Sequence, residues 1–135
     1  MSAKRPVPVP TPETEPYWAA ARQGQLVIQR CGDCGEHCFY PRLVCPACMS
    51  DALRWVPCSG RATVYSWTEV RRAPGAFADD VPYVVGLVEL EEGPRMLTWI
   101  RSERPEAVRI GMGVKVAFEP VSDDITLPVF VVDDA

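Results

Sequence analysis

The residues best suited to chemistry in this chain are two cysteine pairs. Cys31-Gly-Asp-Cys34 and Cys45-Pro-Ala-Cys48 are separated by ten residues. Each CxxC pair can form a short turn that aims both sulfurs and several backbone N–H groups at one ion, so the spacing predicts a four-thiolate zinc site. Gly35 after the first pair and Pro46 inside the second suit such turns, Gly through its access to positive φ. Four thiolates fill a tetrahedral shell and leave no position where a water could be activated, so the expected role is structural. The same four sulfurs would hold iron, and the spacing does not distinguish the two metals.

Other chemistry finds less support. His37 and Cys38 lie three and four residues beyond Cys34 and are read as strand residues leaving the first turn. As strand neighbours they point to opposite faces, which disfavours a thiol–imidazole pair. Cys58 is read as a small hydrophobe. His37 is the only histidine and lies in the metal-site hairpin, so no Ser/His/Asp set can be built. No Gly-rich phosphate loop followed by Lys and Ser or Thr is present.

Size and charge narrow the classes further. The 135 residues allow one small domain, or two very small ones sharing an interface, and a zinc clip makes the second arrangement credible. Residues 1–60 carry six basic and five acidic side chains, a net of +1. Residues 61–135 carry eight basic and thirteen acidic ones, a net of −5. A nucleic-acid-binding ribbon plus barrel, the competing reading, needs a basic surface that this half lacks, although Tyr65, Trp67 and Trp99 could offer stacking platforms. No apolar run approaches a membrane span, and no apolar signal core precedes the cysteines. A cytoplasmic protein with metal-bound thiols rather than disulfides is therefore expected.

The elements that must position the cysteines can be read from pattern. Pro6-Val-Pro-Val-Pro10 predicts an extended arm. Thr11 or Thr14 can cap a short helix that Gly24 stops, with Tyr17, Trp18 and Ala21 on one face. That face packs either on the chain's own ribbon or on a partner. Leu26–Arg30, Cys38–Pro41 and Leu53–Val56 predict a three-stranded ribbon around the metal. Beyond Gly60, β-rich runs span Ala62–Arg72, Tyr83–Glu91, Arg95–Arg101, Val114–Val121 and Val129–Val132. Val64, Ser66, Thr68 and Val70 alternate with Tyr65 and Trp67, which predicts one face for the first set and the opposite face for the second. Five strands in so short a span fit a closed barrel, with the OB-fold favoured over an SH3-like barrel or an open sheet. The expected division is 1–25 for the arm and helix, 26–58 for the zinc ribbon and 59–135 for the OB-fold.

Tyr17-Trp18, Gly24-Gln-Leu-Val-Ile-Gln-Arg-Cys31, Cys34-Gly35, Phe39-Tyr-Pro-Arg42, Cys45-Pro-Ala-Cys48, Gly60-Arg-Ala-Thr-Val-Tyr-Ser-Trp67, Pro82-Tyr83, Val88–Gly93, Ile110–Val114 and Pro128-Val-Phe130 occur in this order. Through these landmarks nearly the whole chain resembles small bacterial and archaeal proteins that join a rubredoxin-like zinc ribbon to an OB-fold and are associated with acyl-CoA metabolism. Cys31, Cys34, Cys45 and Cys48 fall on that family's four cysteines.

The resemblance implies a mainly β protein that works as a noncatalytic accessory subunit. The implied partner is a thiolase-superfamily enzyme, such as a thiolase or an aldolase that shortens a steroid side chain. A MaoC-type enoyl-CoA hydratase is a further implied partner, and a two-plus-two assembly follows by analogy with dimeric thiolases. The chain alone is expected to catalyse nothing. Its implied roles are to scaffold the complex and cover the CoA channel. The candidates for contact with acyl-CoA are Arg42, Arg71, Arg72 and Phe77, because guanidinium groups beside aromatics suit phosphate and adenine. Tyr17 and Trp18 are the candidates for the partner interface.

Overall fold

The computed structural model describes residues 6–132, so residues 1–5 of the expected arm and helix segment and 133–135 of the expected barrel lie outside it. Helix α1 (Glu15–Arg22) comes first. Its N-cap is Thr14, but the threonine side chain turns away from the helix. Thr14 Oγ1 accepts the backbone N–H of Thr11 at 2.8 Å. The Thr11 carbonyl in turn accepts the N–H groups of Thr14 and Glu15 at 3.0 and 2.9 Å. These bonds satisfy donors that a helix start leaves open.

Strands β1 (Val27–Cys31), β2 (His37–Cys38) and β3 (Leu53–Pro57) form an antiparallel sheet in the order β2-β1-β3. β2 is shorter than the expected Cys38–Pro41. It pairs with β1 only at Arg30↔His37 and Gln29↔Cys38. Past that point the Gln29 side chain takes the place of a ladder partner. Its Nε2 donates to the Arg42 carbonyl at 2.9 Å, and its Oε1 accepts the Arg42 N–H at 2.7 Å. A side-chain amide thus satisfies backbone groups that would otherwise need a strand.

Strands β4 (Arg61–Val70), β5 (Tyr83–Leu90), β6 (Arg95–Arg101), β7 (Gly113–Pro120) and β8 (Thr126–Val132) close a barrel in the order β4-β5-β6-β8-β7. All five expected strands are present. Closure comes from β4 pairing with β7 and from a parallel contact between β6 and β8 at Ile100↔Phe130 and Arg101↔Val131. This is the five-stranded Greek-key arrangement of an OB-fold.

The alternation expected for β4 is interrupted. The register shifts between Val64 and Ser66. One extra residue on β4 changes which side chains face inward beyond it. Val64 is buried opposite Val88, yet Trp67, three residues on rather than two, packs on the same core opposite Gly86. Ser66 and Thr68 are exposed. Trp67 is therefore a core residue, while Tyr65 lies outside with the Arg95 guanidinium 3.8 Å from its ring centre.

One core runs through ribbon base and barrel alike. Tyr17, Leu26 and Ile28 belong to the same buried cluster as Val64, Val84, Val88, Ile100, Val114 and Phe130. Helix α1 contacts β1 on one side and β7 and β8 on the other. Arg22 NH1 also donates to the Asp124 carbonyl in the β7–β8 turn at 3.2 Å. No helix among the described residues is long and apolar enough to cross a membrane.

Candidate metal centre

The two CxxC turns face one another beyond the open end of the ribbon. In the first, the Gly35 N–H donates to the Cys31 carbonyl at 2.9 Å, with Gly35 at φ +79°. In the second, the Met49 N–H donates to the Cys45 carbonyl at 2.8 Å, with Met49 at φ +66°. The turns are near-equivalent in backbone, although the second has no glycine where it enters the left-handed region. They are also tied together. The Gly32 N–H donates to the Ala52 carbonyl at 2.8 Å, and Ser50 Oγ donates to Asp33 Oδ2.

Ligand atoms of Cys31, Cys34, Cys45 and Cys48 all lie within 4.8 Å of one another. Cys31 Sγ is 3.6 Å from Cys48 Sγ, and Cys34 Sγ is 3.6 Å from Cys45 Sγ. A Zn–S distance of about 2.3 Å sets the edges of a regular ZnS4 tetrahedron at roughly 3.8 Å. The four thiols therefore fit the ion that their spacing predicts.

Their acidities are spread apart by the same closeness. Thiols this close oppose one another's ionisation unless a cation lies among them. The Cys31 thiol is drawn down to about 7, first by the Cys34 backbone N–H. The Cys48 thiol is pushed up to about 12: the Ser50 N–H favours its thiolate, but burial and hydrogen bonds with the other three cysteines outweigh that. A zinc ion held by Cys31, Cys34, Cys45 and Cys48 would supply the positive charge, and the chain's contribution is to hold the four sulfurs close together.

The remaining cysteines serve packing. Burial raises Cys38, whose Sγ lies 3.8 Å from Gln29 Oε1. Burial first, and then Glu92, pushes Cys58 up to about 12. Both thiols are thus held away from the thiolate form that nucleophilic chemistry needs.

The other site candidates are spread over the surface. Arg71 and Arg72 line a shallow depression with Ala73, Pro74, Ala78 and Val81, and Arg71 Nε pairs with the Glu69 carboxylate. Phe77 turns to Tyr83 and Trp99, with ring centres 6.5 and 6.2 Å away. Arg42 sits on the ribbon, with its backbone held by Gln29. Tyr17 is only 8% exposed, inside the chain's own core, and meets Trp18 edge-on at 4.9 Å. Trp18 is half-buried and borders an apolar groove of about 500 Å³ with Tyr40, Leu97, Trp99 and Pro128.

Sequence reasoning missed the residues that join ribbon to barrel. Tyr40 Oη accepts the Leu97 N–H of β6 at 3.3 Å. Glu92, in the β5–β6 turn, reaches back to accept the Ser59 N–H at 2.8 Å. The Cys58 N–H donates to the Leu26 carbonyl at 2.9 Å. Nothing in residue type announces these pairs, and the first two span 57 and 33 positions of chain. For Gln29 a weak signal did exist: an amide among apolar residues on a central strand calls for a buried partner.

A four-thiolate ribbon seated on a five-stranded barrel defines the class: a rubredoxin-like zinc ribbon joined to an OB-fold, with the metal in a structural role. Two family profiles match in tandem, the ChsH2 rubredoxin-like zinc ribbon domain over residues 18–54 and the ChsH2 C-terminal OB-fold domain over residues 55–119. A DUF35 domain-containing scaffold protein of Methanocaldococcus jannaschii is 37% identical over 100 residues, covering 73% of this chain and 71% of the relative. The chain belongs to this DUF35 (ChsH2) family. A probable enoyl-CoA hydratase alpha subunit of Thermomonospora curvata is 38% identical over 95% of the chain, which spans only 40% of that relative's length. Among solved structures, a chain of the Ltp2-ChsH2(DUF35) aldolase superposes with a TM-score of 0.84 at 36% identity, covering 93% of this chain and 98% of that one.

Proposed function

We propose that this chain is a noncatalytic accessory subunit of a thiolase-superfamily acyl-CoA enzyme, an aldolase or thiolase in steroid side-chain or related acyl-CoA degradation. The observation that carries the reading is the end-to-end likeness to a chain of an aldolase assembly at 36% identity. The chain's own chemistry agrees with it. The thiols of Cys31, Cys34, Cys45 and Cys48 are positioned for a closed metal shell, while Gln29, Tyr40 and Glu92 serve architecture. The acidic balance of the barrel half speaks against a nucleic-acid partner.

The finer parts rest on analogy with relatives. The subunit scaffolds a cytoplasmic two-plus-two complex and covers the CoA channel. A hydratase partner draws support from the relative named as a hydratase alpha subunit. Arg71 and Arg72 form the pair best suited to CoA phosphates, with Arg42 a separate candidate on the ribbon. Phe77 is turned toward Trp99 and offers adenine less of its ring. Trp18, with exposed surface beside the 500 Å³ groove, is the better interface candidate than Tyr17.

Affinity capture of the tagged chain from its own cell extract, with mass spectrometry, tests the reading. A thiolase-like chain in stoichiometric amount is expected, and Trp18→Ala should weaken its recovery. Nuclease-sensitive nucleic acid, or ribosomal material without such an enzyme, would overturn it.

A further inference from the structure

The four metal cysteines differ in access. Each CxxC turn buries its first cysteine and exposes its second: Cys31 and Cys45 are each 1% exposed, whereas Cys34 and Cys48 lie open to solvent. The two Sγ approaches of 3.6 Å run between the turns. Cys48 of the second turn meets Cys31 of the first, and Cys34 of the first meets Cys45 of the second. Each exposed thiol of the four therefore has a buried thiol of the opposite turn beside it. The bonds from the Gly32 N–H to the Ala52 carbonyl and from Ser50 to Asp33 hold the turns in this register.

Oxidation to a disulfide needs this arrangement. A peroxide reaches an accessible thiolate first, and a second thiolate beside it resolves the product. Sulfurs in a disulfide are about 2.05 Å apart, so each pair has to close by roughly 1.5 Å. Bonds along these two pairs would bridge 17 and 11 positions of chain and tie one turn to the other, as an ion held by all four sulfurs would. Bonds within each CxxC would bridge only three positions and leave the turns untied.

We propose that the metal centre is also a modification site for peroxide: Cys34 and Cys48 are oxidised first, Cys45 and Cys31 resolve them, and two cross-turn disulfides take over from the ion as the clip of the outer ribbon. The Cys48 thiolate attacks one peroxide oxygen, the O–O bond breaks, and the departing hydroxide takes up a proton to become water. The Cys31 thiolate then attacks the sulfenic sulfur; the S–S bond forms as the S–O bond breaks, and a second protonated hydroxide leaves as water. One peroxide is thus reduced by two electrons for each disulfide. Cys34 and Cys45 follow the same course, after which no thiolate remains to hold zinc. Cys38 and Cys58 stay outside this chemistry, the first buried against Gln29 and the second half-buried beside Glu92.

The test treats the zinc-loaded chain with hydrogen peroxide, follows released zinc with a chromogenic chelator, and alkylates residual thiols before a non-reducing tryptic digest. Cleavage after Arg30, Arg42 and Arg54 places Cys31, Cys34 and Cys38 in one peptide and Cys45 and Cys48 in another. Two peroxides should be consumed per zinc released, and these two peptides should be joined to each other. Tandem fragmentation should assign Cys31 to Cys48 and Cys34 to Cys45, with Cys38 and Cys58 alkylated. Hydrogen exchange on the oxidised, zinc-free chain should keep its protection across 31–52, and dithiothreitol with zinc should restore the starting state. Separate peptides with internal disulfides, the opposite cross-turn pairing, or sulfinic acid in place of disulfides would overturn the inference. So would loss of protection across 31–52 in the oxidised chain. The experiment uses the chain alone, so its failure leaves the accessory-subunit reading standing.

Discussion

The ribbon and the barrel solve the same problem of stability by different means. The barrel buries Val64, Val84, Val88, Ile100, Val114 and Phe130 around a closed set of strands, and it leaves few open edges. The outer ribbon, from Cys31 to Ala52, has a single two-residue strand and little apolar burial beyond the cysteines themselves. A structural metal takes the place of a core there. The boundary between the two strategies does not follow the ribbon's outline. Leu26 and Ile28, at the ribbon's base, pack into the same cluster as the barrel strands.

That comparison can be broken most forcefully at the metal. Cys31→Ser should remove most of the metal-coupled folding energy, on the order of 10 kcal/mol in isolated zinc-binding peptides. Zinc analysis should fall from about one ion per chain toward none, as a closed four-ligand shell requires. Hydrogen exchange should then lose protection across 31–52 and keep it in the barrel and at Ile28. Loss of barrel protection as well would mean that the two strategies are not separable.

The barrel's dependence on packing predicts the next effect. A Cβ at Gly86 would collide with the Ile100 side chain and come within 2.9 Å of the Ser66 carbonyl. Gly86→Ala should cost about 3 kcal/mol through overpacking. Chemical denaturation should show it, with zinc content unchanged.

Gln29 probes the hinge between the regions. Gln29→Ala removes two bonds to Arg42 and leaves its backbone groups without partners, a loss of about 2 kcal/mol. Because residues 39–41 sit between Cys38 and Arg42 and pack near Trp18, tryptophan fluorescence should change along with stability. Gln29→Glu, which keeps the acceptor but sets a buried carboxylate oxygen against the Arg42 carbonyl, should not recover the loss at neutral pH.

The smallest effect separates the two cysteine turns. Met49 holds φ +66° while 73% exposed, so its side chain gains little to offset the left-handed strain. Met49→Gly should stabilise the metal-bound chain by up to about 1 kcal/mol, whereas Gly35→Ala should destabilise it by a similar amount. Thermal melts of the two variants, moving in opposite directions, would show that the turns are equivalent in backbone and differ only in residue.

Much of the architecture is legible because it rests on local pattern. The period-two runs locate all five barrel strands, and Glu91-Glu-Gly93-Pro marks the β5–β6 turn, where the Gly93 N–H meets the Leu90 carbonyl at 2.8 Å. The four metal cysteines are legible because two CxxC turns constrain their own geometry. Pattern overextends β2, by contrast, because it cannot show that the Gln29 amide takes over from the ladder at Arg42. That substitution depends on where Arg42 comes to rest, thirteen residues further along the chain. The face expected for Trp67 is reversed for a related reason. A bulge adds one residue to β4, and alternation cannot register an insertion that only the partner strand defines.

Residue type, short spacing and charge were enough to specify the metal ligands, the order of the elements and the acidic character of the barrel half. Where ribbon and barrel meet was settled only in three dimensions. Folding buried Tyr17, brought Tyr40 to Leu97 and Glu92 to Ser59, and laid the Pro6–Pro8 arm beside Phe77 and Trp99. These contacts join residues far apart in the chain through single hydrogen bonds or apolar surface. Neither carries a local pattern, because the free energy that selects them comes from closing the barrel and seating the helix against it.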